Sequence, residues 1–365
     1  MKSARWRRVL RGLLISCATL VLLLITAEIV LRLCGYADNP AVYYDPDVGL
    51  RYYANQQRHM LNGQRVLGEF RTNEWGFRTP SFALEKAPGV TRIVCLGDSF
   101  TLGWGVDDRD TWPRRLQELC DEREGRGRVE VLNLGQPDFN TVNEERLYRS
   151  FARRLHADVV ILGYVLNDMA PETLAPIDAT SRIDRVIGTT AIMRYLRIHF
   201  FGRWGVYQPA NNPENTRRRA EFGARIGDVL GDPDGETGHS YWEVSMQALD
   251  ALARETQADG TRLLLLSFPD SGQVRGLHAV YEAADKLDPA ELQASAHAQN
   301  RLRRECTELG VPMRDLLEDF SRCGPMLYGD IDGSHPAAPG QRIAGEAAHA
   351  WLEELQLLGR GTLPR

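Results

Sequence analysis

The sequence predicts an α/β protein: a three-layer α/β/α domain on a central parallel sheet, with an N-terminal membrane helix ahead of it and a helical insertion within it. Three observations predict this. From Thr91 onward, short apolar runs rich in β-branched residues alternate with segments of helical period, the pattern of a parallel sheet covered on both faces. Runs such as Ile93 to Leu96 are apolar at consecutive positions rather than at alternate ones, as strands buried on both faces are. Residues 12–33 form an almost unbroken apolar stretch behind a basic start, close to the ~20 residues that span a bilayer.

Length and charge narrow the possibilities. A chain of 365 residues holds one large domain or two small ones, and 43% hydrophobic with 25% charged residues is the composition of an ordinary globular protein. The whole chain carries a formal charge of −5. Setting aside Lys2, Arg5, Arg7, Arg8, Arg11, Arg32 and Glu28 leaves 38 basic and 48 acidic residues, or −10 for residues 36–365. Such a surface repels phosphate backbones, which argues against nucleic acid as a partner. No Cys-x-x-Cys and no His-Glu-x-x-His occurs, so neither a redox motif nor a common zinc site is present, and no metal or organic cofactor is expected.

Residues 1–11 are a basic N-terminus and residues 12–33 a transmembrane signal anchor. A cleaved signal peptide shares the same opening, but Thr26-Ala27-Glu28 and Leu33-Cys34 are poor cleavage sites. Five basic residues ahead of the helix keep the N-terminus in the cytoplasm and place the bulk of the chain outside. Cys34, Cys120, Cys306 and Cys323 then face an oxidising compartment, where a pair such as Cys306 with Cys323 has the opportunity to bond. Residues 36–90 read as an irregular, partly β extension. Within it, Thr72-Asn73-Glu74-Trp75-Gly76-Phe77-Arg78 reads as a segment docked on the main domain, with a substrate contact as the alternative.

The core domain spans 91–358. Its first strand, Ile93 to Leu96, breaks at Gly97 and delivers Ser99 to the carboxyl end of the sheet, where open α/β sheets place their ligands. Thr111 is positioned to cap a helix with Pro113 in its first turn, running to about Glu124. A strand over Val129 to Leu134 ends at Gly135, a helix covers Asn143 to Leu155, and a strand over Asp158 to Leu162 ends near Asn167-Asp168. Parallel neighbours bring those three ends to one edge. Residues 169–239 interrupt the alternation with prolines, Gly-rich turns and an apolar segment around Ile192, Tyr195 and Leu196. This insertion reads as helical and packed on the core, with a lid or a membrane-surface element as alternatives. The core resumes with a helix over Tyr241 to Gln257, a strand over Arg262 to Ser267, a helix over Pro289 to Leu309 and a strand near Val311 to Arg314. Asp332-Gly333-Ser334-His335-Pro336 follows, and Pro339 opens a terminal helix to about Leu357.

A serine is a weak nucleophile until an imidazole takes its proton and a third group orients that imidazole. His335 has an acid three residues earlier, Asp332, and His239 follows Glu236 at the same spacing. Only His335 follows a core strand, so it reaches the edge that carries Ser99. The oxyanion of an attacked ester needs donors that add no charge, and backbone N–H groups at Ser99 and Gly135 with the Asn167 amide are candidates. A surface turn, an ordinary turn glycine and a cap asparagine are the competing readings of these residues taken singly.

Together, Gly97-Asp98-Ser99-Phe100-Thr101, Asn133-Leu134-Gly135, Asn167-Asp168 and Asp332-Gly333-Ser334-His335 occur in the order of the SGNH or GDSL-type serine hydrolases, which the chain resembles over about Thr91 to Asp168 and from Arg262 onward. The resemblance implies a flavodoxin-like core, Ser99 as nucleophile, His335 as general base and acid, Asp332 as its orienting carboxylate, and Ser99, Gly135 and Asn167 as the oxyanion hole. The extension with Asn73, Gly76, Phe77 and Arg78 is similar to that of exported, membrane-anchored bacterial members. Two positions depart from the pattern: Phe100 replaces a leucine, and Val165 stands where a glycine commonly precedes the Asn-Asp pair by two residues.

The expected activity is that of an extracytoplasmic, periplasmic serine esterase cleaving O-acyl esters, O-acetyl first among them. The implied partners are an acylated cell-envelope or exported glycan and the membrane. Trp104 offers a face for a sugar, although a core role is its commoner use. An O-acyltransferase acting on a polysaccharide, a lipid esterase, and a non-catalytic anchored glycan-binding or assembly protein are the alternatives.

Overall fold

The computed structural model describes residues 2–34, 42–62, 65–170, 190–196, 214, 217–218, 220–225, 232, 234–275, 297–323, 327–328 and 334–358. These residues fall into two compact units.

The first unit holds α1 (Lys2–Leu33), in which the basic start and the apolar stretch form one continuous helix. Its segment Val9–Leu33 has a mean hydropathy of 2.5, and its side chains lie exposed, which suits a helix that meets lipid rather than protein. A short helix, Ala191–Leu196, belongs to the same unit. Glu28, the one acid in the apolar stretch, bonds to its start. One carboxylate oxygen accepts the Ala191 N–H at 3.0 Å, the other accepts the Ile192 N–H at 3.1 Å, and Arg32 pairs with Glu28 at 2.7 Å. Residues 190–196 of the insertion therefore pack on the apolar helix, whereas Phe222, later in the insertion, is buried in the core of the second unit. Phe200, Phe201 and Trp204 lie outside the described residues.

The second unit carries the sheet. Its extension opens with β1 (Val42–Asp45) and β2 (Gly49–Tyr52), an antiparallel pair, followed by the paired β3 (Gln57–Asn62) and β4 (Arg65–Arg71), of which residues 61–66 belong to the first unit. The core strands are β5 (Thr91–Gly97), β6 (Val129–Asn133), β7 (Val159–Tyr164), β8 (Arg262–Ser267) and β9 (Met313–Asp315), all parallel in the order β6-β5-β7-β8-β9. Ile93 pairs with Val131 on one side and Val159 on the other, so β5 is fixed between the strands that follow it in sequence.

Alternate side chains along each strand feed two cores. Val94, Leu96, Val160, Leu162, Leu263 and Leu265 face helices Thr141–Ser150, Glu236–Ala258 and His297–Glu308, which contribute Leu147, Trp242, Leu249 and Leu302. Ile93, Cys95, Val129, Val131, Ile161, Leu264 and Leu266 face Trp112–Cys120, Leu317–Cys323 and Ala338–Glu354, which contribute Trp112, Leu116, Phe320, Ala344, Ala348 and Leu352. Both faces of the sheet are covered, which explains the unbroken apolar strands.

Some boundaries differ from expectation for local reasons. The helix behind Thr111 ends at Cys120 and widens into a single π turn over Asp121–Gly125. The Thr111 hydroxyl does not cap it but donates backward to the Asp108 carbonyl at 3.3 Å. The helix expected from Asn143 starts instead at Thr141, because Asn140 caps it in a reciprocal pair with Asn143. The Tyr241 helix starts at Glu236, so His239 lies in its first turn, where it is exposed and 3.9 Å from Glu243. That placement removes the Glu236 and His239 pair from the chemistry. Cys306 is a buried free thiol, so the expected option of a bond to Cys323 is not realised.

β6 is an edge strand, and its outward backbone groups are occupied by a side chain. Gln117 donates from Nε2 to the Val129 carbonyl at 2.9 Å, and its Oε1 accepts the Val131 N–H at 2.7 Å. Gln117→Leu removes both bonds and leaves that edge open. Urea denaturation of this variant is expected to show a loss of about 1–3 kcal/mol with an unchanged m-value.

Candidate active site

Strands β6, β5 and β7 end side by side, and the loops beyond them bring the candidate residues to one point. Gly97 closes β5, Asp98 follows, and Ser99 begins a four-residue helix, α2 (Ser99–Leu102). Asp98 caps that helix by accepting the Phe100 N–H at 2.8 Å. Ser99 Oγ lies 2.8 Å from His335 Nε2 and 3.3 Å from Asp98 Oδ2. Asn167 donates from Nδ2 to the same Asp98 oxygen at 3.0 Å. Asp98 thus ties the serine and the asparagine together, a role that its place beside Ser99 in the sequence did not reveal.

His335 arrives from the segment ahead of the last helix, Ala338–Glu354. Tyr328 and Pro336 form an isolated antiparallel bridge, Ala337 donates its N–H to the Leu327 carbonyl at 2.7 Å, and the Tyr328 hydroxyl donates to the Pro269 carbonyl at 2.7 Å. These bonds fix the approach of the imidazole. Its ring centroid is 5.3 Å from that of Phe100 and 6.5 Å from that of Trp104. Ser334 Oγ lies 3.2 Å from His335 Nδ1, and Asp332 lies outside the described residues.

Gly135 sits where the sequence placed it, after β6, and it has to be glycine. A Cβ there would lie 2.3 Å from the Leu102 nitrogen, so the loop approaches α2 closer than any side chain allows. Its N–H donates to Asn133 Oδ1 at 3.0 Å, while Asn133 Nδ2 donates to the Thr101 carbonyl at 2.9 Å. The two loops are thereby joined. Val165, the departure from the family pattern, is extended (φ −124°, ψ 155°), a conformation open to any residue. Asp168 accepts its N–H at 2.8 Å and closes the turn that presents Asn167.

Beneath these loops lies a group of buried acids. Asp98, Glu144 and Asp168 are all fully or almost fully buried. Neither Glu144 oxygen has a hydrogen-bond partner among the described residues, and Asp168 Oδ1 is likewise unpaired there. Burial pushes the carboxyls of Glu144 and Asp168 well above the ordinary carboxylate range; the charge of Asp98 adds to the shift of Glu144, and the charges of Glu144 and Asp98 add to that of Asp168. Asp98 is also raised by burial, against the opposing pull of Asn167, the Phe100 N–H, His335 and Ser99. An acid on an amphipathic helix ordinarily marks the wet face, which is why nothing in the sequence singled out Glu144.

A protonated buried acid has a signed effect on stability. The folded state keeps a proton that the unfolded chain releases near its ordinary pKa, so stability falls as pH rises above that point. Glu144→Gln removes the Glu144 share of this dependence while keeping the shape. Urea denaturation is expected to show the variant gaining on the parent between pH 5 and pH 8, with the difference shrinking towards pH 4.

A family model described as GDSL-like Lipase/Acylhydrolase family matches residues 95–343. Solved structures similar to this chain include TesA (14% identity, covering 73% of this chain and 99% of that one, TM-score 0.40). The acetyl xylan esterase AlAXEase is similar at 13% identity, covering 72% and 99%, with a TM-score of 0.42. A mutant of Axe2, described as an acetyl-xylooligosaccharide esterase from Geobacillus Stearmophilus, is similar at 11% identity, covering 74% and 96%, with a TM-score of 0.40. No curated protein matches the chain.

Proposed function

Since the chain belongs to the GDSL-like lipase/acylhydrolase family and is an SGNH-type ester hydrolase, we propose that Ser99 is the nucleophile of an esterase acting on O-acyl groups, O-acetyl first among them, of an envelope or exported glycan. The observation that carries this reading is the 2.8 Å contact between Ser99 Oγ and His335 Nε2, groups 236 residues apart in sequence. His335 takes the serine proton as Oγ attacks the ester carbonyl, then gives it to the departing sugar oxygen. Asp332 is assigned the orientation of the imidazole. The acyl-enzyme is hydrolysed when His335 activates a water by the same route in reverse.

The carbonyl oxygen becomes an oxyanion at each step, and its donors are assigned to the Ser99 N–H, the Gly135 N–H and Asn167 Nδ2. Asn167 spends one amide hydrogen on Asp98 and keeps the other for substrate. Gly135 has to exchange Asn133 for the oxyanion. Trp104, half-buried beside His335, supplies a flat apolar face of the kind that a sugar ring stacks on. In this proposal α1 is the membrane anchor and the sheet domain works outside the cytoplasm.

The same acyl-enzyme serves an O-acyltransferase if a sugar hydroxyl displaces water. Full-length protein in detergent is expected to react with a fluorophosphonate probe, with labelling abolished in Ser99→Ala and turnover of p-nitrophenyl acetate lowered about 10³–10⁴-fold in His335→Ala. Persistent labelling of Ser99→Ala removes the assignment. Acetate released from an acetylated glycan is expected to be independent of added oligosaccharide acceptor; strict acceptor dependence would make the transferase the correct reading.

A further inference from the structure

The Thr72 to Arg78 segment of the extension reaches the loop that presents Ser99. Arg78 is 1% exposed at its side chain, and every nitrogen of its guanidinium is bonded. Nη1 donates to the carbonyls of Leu102 at 3.2 Å and Gly103 at 2.5 Å, Nη2 to those of Glu69 and Val106 at 2.7 Å each, and Nε to Asp108 Oδ1 at 2.7 Å. The guanidinium also lies over the Phe70 ring, 5.0 Å from its centroid.

Leu102 ends α2, and Gly103 is its left-handed C-cap at φ 80°. A four-residue helix has too few internal bonds to hold its own shape. Its last carbonyls would be orphaned, and a cation at its C-terminus opposes its dipole. Arg78 meets both needs, acting as a cap supplied by a distant segment. The Ser99 carbonyl accepts the N–H groups of Gly103 at 3.0 Å and Trp104 at 2.9 Å, so fixing this turn fixes the serine and the indole together.

The extension also holds the neighbouring loop. Gln136, next to Gly135, is fully buried. Its Oε1 accepts the Tyr52 N–H at 3.2 Å, its Nε2 donates to the Gly76 carbonyl at 3.5 Å, and its own N–H donates to the Gly97 carbonyl at 3.1 Å. Tyr52, Met60 and Phe70 form a small apolar cluster with Leu102, against which Trp104 packs.

We infer that Arg78 is a positioning residue for the esterase: through the carbonyls of Leu102 and Gly103 it holds the short helix that aims Ser99, with Gln136 tying the Gly135 loop to the same extension. The inference rests on Ser99 being the nucleophile. It assigns the extension a part in turnover rather than in folding alone.

Arg92 provides a matched control. It too is an arginine with a 1% exposed side chain, bonded to Glu130 at 2.6 Å and to the carbonyls of Ala83, Leu84 and Leu155 at 2.7–2.9 Å. It sits at the opposite end of β5, roughly 20 Å from Ser99 at about 3.3 Å per residue. Lysine at either site keeps the charge and loses the fork of donors.

The test compares full-length parent, Arg78→Lys, Arg92→Lys and Gln136→Met in detergent, by p-nitrophenyl acetate kinetics, fluorophosphonate labelling rate and thermal midpoint. Arg78→Lys is expected to lose kcat by about 10–100-fold, the scale of a small misplacement of reacting groups. Its KM is expected to stay within about twofold, with the labelling rate falling in proportion to kcat. Arg92→Lys is expected to lower the thermal midpoint comparably yet keep kcat within about twofold. Gln136→Met, which leaves Arg78 untouched, is expected to lose kcat about 3–10-fold and decides the matter if Arg78→Lys does not fold. Unchanged kcat in Arg78→Lys, or in Gln136→Met where that variant decides, overturns the inference, as does an equal loss of kcat in Arg92→Lys. A parent protein that turns over ester but is not labelled at Ser99 overturns the nucleophile assignment itself, a result distinct from any pattern among the variants.

Discussion

Everything at the candidate site follows from β5 lying between β6 and β7. The chain leaves β5 towards one side of the sheet and later returns to its other side, so the loops after β5, β6 and β7 converge at the point where strand order reverses. All seven residues of β5 are buried. A strand so enclosed has one conformation and one register, and the residue that emerges at its carboxyl end inherits that rigidity. The short helix beyond it is the only freedom left, and it is capped at its start by Asp98 and at its end by Arg78.

The electrostatics of the site are layered. At the rim, Asp98 accepts from Asn167 and Ser99, and Ser99 Oγ in turn meets His335 Nε2 directly. Below the rim, burial pushes the carboxyls of Glu144 and Asp168 well above the ordinary carboxylate range, against the single Val165 N–H that Asp168 accepts. Asp98 is raised by burial too, but the Asn167 amide, the Phe100 N–H, His335 and Ser99 pull it back towards the carboxylate.

Much of this was legible in the sequence. Consecutive apolar residues at Ile93 to Leu96, Asp158 to Leu162 and Arg262 to Ser267 identified buried strands because burial on both faces leaves no polar alternation. The blocks ending in Ser99, Gly135 and Asn167 could be placed at one edge from strand order alone. Long-range bonds were not legible: the segment Thr72 to Arg78 read as docked on the main domain, but nothing local showed which carbonyls Arg78 would reach, and Glu144 carries the spacing of a solvated helix face. Short elements such as Ser99–Leu102 and Ser271–Arg275 also escaped, since four or five residues contain no full helical period.

The carboxylate of Glu28 gives the N-terminal helix a second character. A passive appendage could be removed with no effect on what remains, but this helix supplies the acceptor for the Ala191 and Ile192 N–H groups. Removing it would strip those amides of their partner at the start of the helix Ala191–Leu196. The apolar helix is therefore a structural partner of residues 191–196 as well as an appendage.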